Sequence, residues 1–258
     1  MRSNSLIDAV RDGNTVFGTF VSAPNTSVVE TIGYAGYDFV IVDMEHTPVD
    51  FGHLPALFAA ADATGLVPLV RVGTGDSNSI LRVLDSGALG VVLPHVQSRA
   101  DALRLVRACR YPPQGIRAVS GGSRAAAYGN ASFLEHVRDS NQQIQTIALI
   151  EDVKGAEAVN EIASVEGLDV IFPGPGDLSA SLGLLGEHEH PKVQEYVHRM
   201  AKVVRSRPNL SLAYYISRPS QIRACQEMGV QLVVLSQDSR IILNAYQDAL
   251  SEMRELLP

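Results

Sequence analysis

The sequence predicts a single α/β domain, a (β/α)8 barrel of the TIM type over residues 1–258, and three observations favour this fold. Short runs of Val, Ile and Leu recur about eight times along the chain. The runs are almost continuously apolar, as in parallel strands that helices cover on both faces. Helical patterns lie between them, and a length of 258 residues is typical of this barrel.

The elements follow one another in a regular order. An amphipathic segment near the amino terminus predicts a short helix, and the last segment, DSRIILNAYQDALSEMRELL, predicts a helix with one apolar face. Glycines that close helices before the next strand are Gly36, Gly65, Gly87 and Gly229. The predicted strands begin at Val16, Asp38, Val67, Gly90, Thr146, Asp169, Ser211 and Gln231.

One connection, between Pro94 and Thr146, is much longer than the others. We expect it to hold a helix near Arg99 to Cys109, the loop YPPQGIRAVSGGSRAAAYG and a short helix near Phe133 to Val137. Connections of this length are often functional.

Composition excludes several classes of protein. The formal charge of -7 leaves no basic stripe for nucleic acid. No apolar run approaches the roughly 18 residues of a membrane span, so we expect no membrane partner and a soluble, cytoplasmic protein. Cys109 and Cys225 match no metal or redox spacing, and we interpret both as buried apolar residues.

Polar side chains follow five of the predicted strands, at the ends that form the mouth of such a barrel. Each alone has a structural alternative, since an Asp can cap a helix and an Arg can pair with a carboxylate. Their convergence on one rim indicates an active site. The residues are Asp43, Glu45 and His46, Arg71, His95 after Pro94, Glu151, and Asp177.

Two carboxylates in this set, Glu151 and Asp177, suit a hard divalent ion such as Mg²⁺ or Mn²⁺ that keeps positions open for oxygen atoms of a substrate. Such an ion can chelate a 2-oxo acid and stabilise an enolate, with Arg71 as a further cation. A Schiff-base mechanism is disfavoured, because none of the three lysines lies in a predicted strand or at its last residue.

The motifs DMEHTP, LVRV, LDSGA, YPPQGIRAV, LIED and GPGDLSASLG occur in this order over nearly the whole chain. In them the chain resembles the HpcH/HpaI family of metal-dependent (class II) 2-oxo-acid aldolases. The resemblance implies a lyase that reversibly cleaves a 4-hydroxy-2-oxo acid to pyruvate and an aldehyde through a metal-stabilised pyruvate enolate. It implies Mg²⁺ or Mn²⁺ as cofactor, with Co²⁺ as a further option.

The resemblance also implies roles for individual residues. Glu151 and Asp177 would bind the metal, and His46 would take the proton of the substrate hydroxyl. Asp85 would support the basicity of that histidine, although a helix-surface role is the structural alternative. Arg71 would stabilise the enolate.

Further implied contacts concern substrate and assembly. Gly176 and Asp177 would contact the bound keto acid, and Ser123 and Arg124 would shape the pocket. The family resemblance implies a homo-oligomer, a hexamer built as a trimer of dimers that exchange their last helix, in which neighbouring subunits complete each site.

The sequence departs from the best-known aldolases of the family at three positions. Leu149 replaces a substrate-binding glutamine, Ala118 replaces a loop glycine, and His95 replaces an apolar residue. His95 could act as a second acid or base or could simply line the site. These changes leave the aldehyde open.

Two alternatives to the aldolase remain. A citrate synthase of the siderophore-pathway type would condense oxaloacetate with acetyl-CoA on the same scaffold, with Arg117 and Arg124 as candidate contacts of coenzyme A. A catalytically silent binding barrel is disfavoured by the intact set of His46, Arg71 and the two metal-binding carboxylates.

Overall fold

The computed structural model describes residues 3–130 and 132–257 and confirms the predicted fold class. Eight parallel strands follow one another around a closed barrel, and β8 pairs with β1. All eight predicted strands are present. Their bounds are β1 Val16–Val21, β2 Phe39–Asp43, β3 Val67–Arg71, β4 Gly90–Leu93, β5 Gln145–Ile150, β6 Val170–Pro173, β7 Ser211–Ile216 and β8 Leu232–Gln237.

Helices surround the barrel, and each of the four glycines predicted to end a helix has a positive φ. The helices are α1 Ser5–Arg11, α2 Thr26–Tyr34, α3 Leu54–Thr64, α4 Ser77–Asp85, α5 Arg99–Cys109, α6 Phe133–Gln143, α7 Val153–Glu157, α8 Val159–Ile162, α9 Pro175–Ser181, α10 Pro191–Arg205, α11 Ile222–Met228 and α12 Asp238–Glu255. Single 3-10 turns occur at Ala127–Gly129 and Pro219–Gln221.

Helix α6 is longer than the sequence predicts, because tertiary contacts hold its polar second half. The side chain of Asn141 accepts a hydrogen bond from the backbone N–H of Tyr111 at 2.7 Å and donates to its carbonyl at 3.2 Å. His136 and Ser140 are buried in the same helix. Local helix propensity is therefore overridden by packing against the loop after α5.

The hydrophobic core has two layers, one inside the barrel and one between the strands and the helices. Close packing inside the barrel requires Gly18, because a Cβ there would lie 2.2 Å from the ring of Phe39. Leu6 and Val10 of α1 join the inner layer and close the end of the barrel where the strands begin. The opposite end stays open, as in other barrels of this kind.

The register of neighbouring strands brings polar groups together at the open end of the barrel. Asp43, the last residue of β2, pairs in register with Arg71, the last residue of β3. Ile150 at the end of β5 pairs with Pro173 at the end of β6, so Glu151 emerges beside the loop that leads into α9. No helix of the described residues is long and apolar enough to cross a membrane.

Asn4 ties the amino-terminal helix to the barrel. It is fully buried, its Nδ2 donates to the carbonyls of Leu89 and Gln143 at 3.1 and 3.0 Å, and its Oδ1 accepts from the N–H of Leu6. Replacing it by alanine would leave buried backbone groups without partners.

We therefore expect Asn4→Ala to lower the free energy of unfolding in urea by about 3 kcal/mol. Asn25→Ala removes only an exposed helix cap on Ser27 and should cost about 1 kcal/mol. Equal losses in the two variants would show that Asn4 acts only as a cap of α1.

Candidate active site

An ion pair between buried Asp43 and partly buried Arg71 is the centre of the open end. The carboxylate accepts from Nε at 2.9 Å and from an Nη at 2.7 Å, the two-point geometry that fixes a guanidinium plane. The ring of Phe20 lies 4.7 Å from the guanidinium carbon. Burial alone would lower the pKa of Arg71, but the hydrogen bond and charge of Asp43, with Glu45 and Glu151, raise it. The arginine therefore stays a fixed cation.

The same carboxylate shapes the loop after β2. Asp43 Oδ1 also accepts from the backbone N–H of Glu45 at 3.0 Å and of His46 at 3.4 Å. Glu45 Oε2 lies 3.4 Å from Arg71 Nε and 3.5 Å from His46 Nε2. The imidazole of His46 is 63% exposed and projects from this loop toward solvent. Glu45 thus lies between Arg71 and His46 and contacts both.

Glu151 is almost completely buried at the end of β5. Its Oε1 accepts from the backbone N–H of His95 at 2.9 Å and lies 3.3 Å from His95 Nδ1. Burial raises the pKa of Glu151 to about 7; the contacts with His95 oppose this rise, and the charges of Asp177 and Glu45 add to it. The second oxygen faces Gly174, where a Cβ would lie 3.1 Å from it.

These residues fit a divalent metal with open coordination positions. Glu151 and Asp177 line one cavity, and the charge of Asp177 helps to raise the pKa of Glu151, an effect that a cation beside them would oppose. Among residues 3–130 and 132–257, no three His, Cys, Asp or Glu side chains are grouped to hold a metal by themselves. The donor set therefore suits an ion that completes its shell with substrate or water, such as Mg²⁺.

The cavity at this end has a volume of about 310 Å³. It is lined by Phe20, Arg71, Leu149, Glu151, Phe172 and the segment from Pro173 to Asp177. The lining also includes His188, Glu189, Tyr214, Tyr215, Ser217, Gln221 and Gln237. Arg71, Gly176 and the two predicted metal ligands therefore share one pocket.

Three predicted site residues lie elsewhere in the single chain. Asp85 is the last residue of α4, which leads into the start of β4, and its carboxylate accepts from buried Arg117 at 2.8 Å. Arg124 pairs with Asp62 of α3 at 2.6 Å, and Ser123 precedes it in the same loop. Because α3 and α4 run opposite to the strands, these contacts are at the closed end, away from His46. One chain does not form the predicted Asp85–His46 pair.

Sequence reasoning placed Asp43 and Glu45 on the rim but gave neither a role. Predicting the two-point contact between Asp43 and Arg71 would have required the register of β2 and β3, which cannot be read from the sequence. The lining residues between His188 and Gln237 were missed entirely. A signal existed in the polar residues Ser217 and Gln237 at the ends of β7 and β8, where the earlier strands also carry their site residues.

Fold and site together define a (β/α)8 barrel enzyme with an arginine and two carboxylates at the carboxyl ends of its strands. The chain belongs to the HpcH/HpaI aldolase/citrate lyase family, which matches residues 16–245. This confirms the resemblance found in the sequence. The family depends on a divalent metal.

Named relatives identify the chain as an aldolase. The hydroxypyruvate/pyruvate aldolase of Paraburkholderia phytofirmans is 35% identical over 98% of both chains. The 5-keto-4-deoxy-D-glucarate aldolase of Citrobacter koseri is 37% identical over 71% of this chain and 70% of its own. The crystal structure of the citrate synthase SbnG superposes with a TM-score of 0.88 at 33% identity, covering 97% of both chains.

The raised pKa of Glu151 has a consequence for stability. The folded protein keeps a proton on this carboxyl up to about pH 7, whereas the ordinary value is 4.5. The protonated Glu151 carboxyl therefore stabilises the folded protein fully below pH 4.5, and this stabilisation is lost as pH rises through 7.

In metal-free buffer with EDTA, we expect Glu151→Gln to gain stability relative to the parent protein as pH rises from 5 to 8, because glutamine stays neutral throughout. The measurement is the difference in urea unfolding free energy between the two proteins at each pH. A difference that does not change across this interval would contradict the raised pKa.

Proposed function

We propose that this aldolase reversibly cleaves a 4-hydroxy-2-oxo acid to pyruvate and an aldehyde. The observation that supports it best is the meeting of Arg71, Glu151 and Asp177 in one cavity of about 310 Å³. A small keto acid needs a fixed cation for its developing negative charge and oxygen ligands that hold a metal beside it. The relative from P. phytofirmans is named for pyruvate and hydroxypyruvate.

Glu151 and Asp177 would hold Mg²⁺ or Mn²⁺, or alternatively Co²⁺, and this ion would supply a Lewis acid for the keto group. The guanidinium of Arg71 would bind the oxygen on which negative charge develops, since Asp43 and Phe20 hold its plane. Gly176 would let the keto acid approach the backbone, because no atom lies within 4 Å of its absent Cβ.

His46 would take the proton from the 4-hydroxyl group during cleavage and return it during synthesis. Glu45 supports this role, because its Oε2 lies 3.5 Å from His46 Nε2 and can orient the ring. In the single chain, the imidazole lies outside the cavity lining. We propose that Asp85, Ser123 and Arg124 of a second copy approach this site, in agreement with the subunit arrangement that the family resemblance implies.

A second candidate is condensation of oxaloacetate with acetyl-CoA, favoured by the similarity to the citrate synthase SbnG. The positions of the basic residues expected to bind coenzyme A argue against this second candidate. The side chain of Arg117 is fully buried against Asp85, and Arg124 pairs with Asp62 at the closed end. Neither lies at the mouth of its own chain, and named relatives over most of the chain are aldolases, so the aldolase reaction is the better supported of the two.

Proton exchange at the methyl group of pyruvate in D₂O tests the proposal without an aldehyde. We expect NMR to show exchange that requires Mg²⁺ or Mn²⁺ and that Asp177→Asn slows by at least about 100-fold. The matched control is Asp50→Asn, which removes an exposed carboxylate from the loop before α3 and should retain exchange. Absence of exchange with every metal would overturn the pyruvate aldolase.

We further propose that the protein works in the cytoplasm as a homo-oligomer, a hexamer made of three dimers. Asp238 is the one residue of α12 that is buried, and it accepts from the N–H groups of Ser22 and Ala23 at 3.0 and 3.1 Å. Beyond it, the helix exposes large apolar side chains, including Leu243, Tyr246, Leu250 and Met253. An apolar surface of this kind favours contact with another copy.

Tyr246 is 74% exposed and lies on this apolar surface. We expect the double variant Tyr246→Glu, Leu250→Glu to have a lower mass by light scattering after size exclusion, because charges would be buried in the interface. The control Asp248→Asn changes an exposed polar residue of the same helix and should keep the parental mass. An unchanged mass in the double variant would place the interface elsewhere.

A further inference from the structure

Arg117 lies in the long connection between β4 and β5 and is almost completely buried. We propose that Arg117 is a positioning residue, which holds Asp85 of one copy so that its carboxylate can meet the proposed base, His46, of another copy. This inference rests on the proposed aldolase function, in which Asp85 of a second copy approaches the site. It adds a residue that supports the proton transfer without touching the substrate.

The guanidinium of Arg117 is poorly paired for a buried cation. Its Nη2 donates to Asp85 Oδ1 at 2.8 Å, and its Cζ lies 4.5 Å from the centre of the Tyr111 ring. Within residues 3–130 and 132–257, no group accepts a hydrogen bond from its Nε or Nη1. Burying a cation with unpaired donors costs free energy of folding that one ion pair offsets only in part. Stability therefore does not explain the contact with Asp85.

The surroundings of Arg117 fix the direction of its side chain. Its backbone N–H donates to the carbonyl of Arg110 at 2.9 Å. The hydroxyl group of Tyr111 lies 3.2 Å from Nε2 of buried His136 in α6, which holds the ring beneath the guanidinium. Because backbone and ring are both held, Arg117 presents its Nη2 to Asp85 in one orientation.

Asp85 is held at two points and reaches the surface. Its carbonyl accepts from the N–H of Ala125 at 3.1 Å, and its Oδ1 accepts from Arg117. The side chain is 22% exposed, and its Oδ2 accepts no hydrogen bond in the described part of the chain. The carboxylate is therefore fixed by one oxygen and can accept an N–H of another molecule with the second.

The residues that we assign to the second copy lie together around Asp85. Arg124 pairs with Asp62 at 2.6 Å, and its Nη1 donates to the carbonyl of Ser86 at 3.4 Å. Ser123 directly precedes Arg124. Three residues that are outside the cavity of their own chain thus form one cluster, and a second copy would bring all three to the site in one contact.

The surface beside this cluster is apolar. Ile116 and Val119, on either side of Arg117 in sequence, are 54% and 56% exposed. Tyr128 of the same connection is also exposed. Exposed apolar side chains close to one another favour contact with another protein surface, here a second copy of this chain.

The contact has a direct use in cleavage. The proton of the 4-hydroxyl group moves to His46, the bond between carbons 3 and 4 breaks, carbon 4 becomes the aldehyde, and the electron pair of that bond forms the enolate. The imidazole becomes a cation in this step, and a fixed carboxylate on its other N–H orients the ring and stabilises the charge. Arg117 would keep Asp85 in the position that this requires.

Decarboxylation of oxaloacetate provides the comparison. It gives the same enolate by loss of CO₂, but no hydroxyl proton has to be removed. It should therefore be independent of His46, Asp85 and Arg117, whereas general misfolding would lower both activities.

The test measures cleavage of 4-hydroxy-2-oxopentanoate and 4-hydroxy-2-oxoglutarate, and decarboxylation of oxaloacetate, with Mg²⁺ or Mn²⁺. We expect Arg117→Met to lower kcat for cleavage by about tenfold or more with little change in KM, and to keep decarboxylation within about twofold of the parent. A fall of both activities by the same factor would show that Arg117 only supports the fold.

Arg110→Met is the matched control. Arg110 is also buried, and it pairs with Asp169 at 3.2 Å rather than with Asp85. This variant should unfold at a lower urea concentration but keep the parental ratio of cleavage to decarboxylation. A loss of cleavage alone in Arg110→Met would contradict a specific role of Arg117.

The double variant Asp85→Asn, Arg117→Met shows whether the arginine acts through the carboxylate. We expect its kcat for cleavage to equal that of Asp85→Asn, because two residues that act as a unit are not additive. A further loss of about tenfold in the double variant would overturn the positioning role.

Mixed oligomers show whether the effect passes between copies. His46→Asn and Arg117→Met chains are co-expressed with different affinity tags and purified through both. We expect these oligomers to cleave faster than either variant alone, because some sites combine His46 of one chain with Arg117 of the other. No gain would overturn the contact between copies.

The outcomes separate this inference from the function on which it rests. Metal-dependent exchange of pyruvate protons, with parental cleavage in Arg117→Met or with no cleavage of either substrate by the parent, would retain the enolate chemistry and overturn the role of Arg117. Absence of exchange would overturn the proposed function itself.

Discussion

The pair between Asp43 and Arg71 is the interaction on which the open end of the barrel depends. Removing two charges from water is costly, and the two-point contact offsets this cost only because neighbouring strands place both groups in register. Asp43 also accepts from the backbone of Glu45 and His46. A single carboxylate therefore fixes the cation of the site and the path of the loop that carries the proposed base.

The contacts that stabilise the barrel and the residues of the candidate site lie at opposite ends of the strands. At the closed end, Asn4 satisfies the carbonyls of Leu89 and Gln143, and α1 packs under the inner core. At the open end, Arg71, Glu151 and Asp177 share one cavity with the apolar side chains of Phe20, Leu149 and Phe172. Because the strands join the two ends rigidly, carboxylates that repel one another, Glu151 and Asp177, can be held together in one cavity.

The sequence predicted the barrel well, because apolar runs such as FVIV and LVVL admit few structures other than covered parallel strands. Arg71, Glu151, Gly176 and Asp177 were predicted together because each follows or ends a strand. The positions of Asp85 and Arg124 were not predictable in this way. Both pair across loops with residues far away in sequence, and such pairing depends on three-dimensional packing rather than on local pattern.

His95 illustrates how a backbone feature limits what can be learned by substitution. It has a φ of 53°, in the left-handed region that is unfavourable for most side chains, and its N–H holds Glu151 Oε1. The N–H remains whatever side chain is present. Most replacements would therefore combine loss of the imidazole with a change in backbone strain, whereas Gly, Asn and Asp, which tolerate this conformation, would separate the two effects.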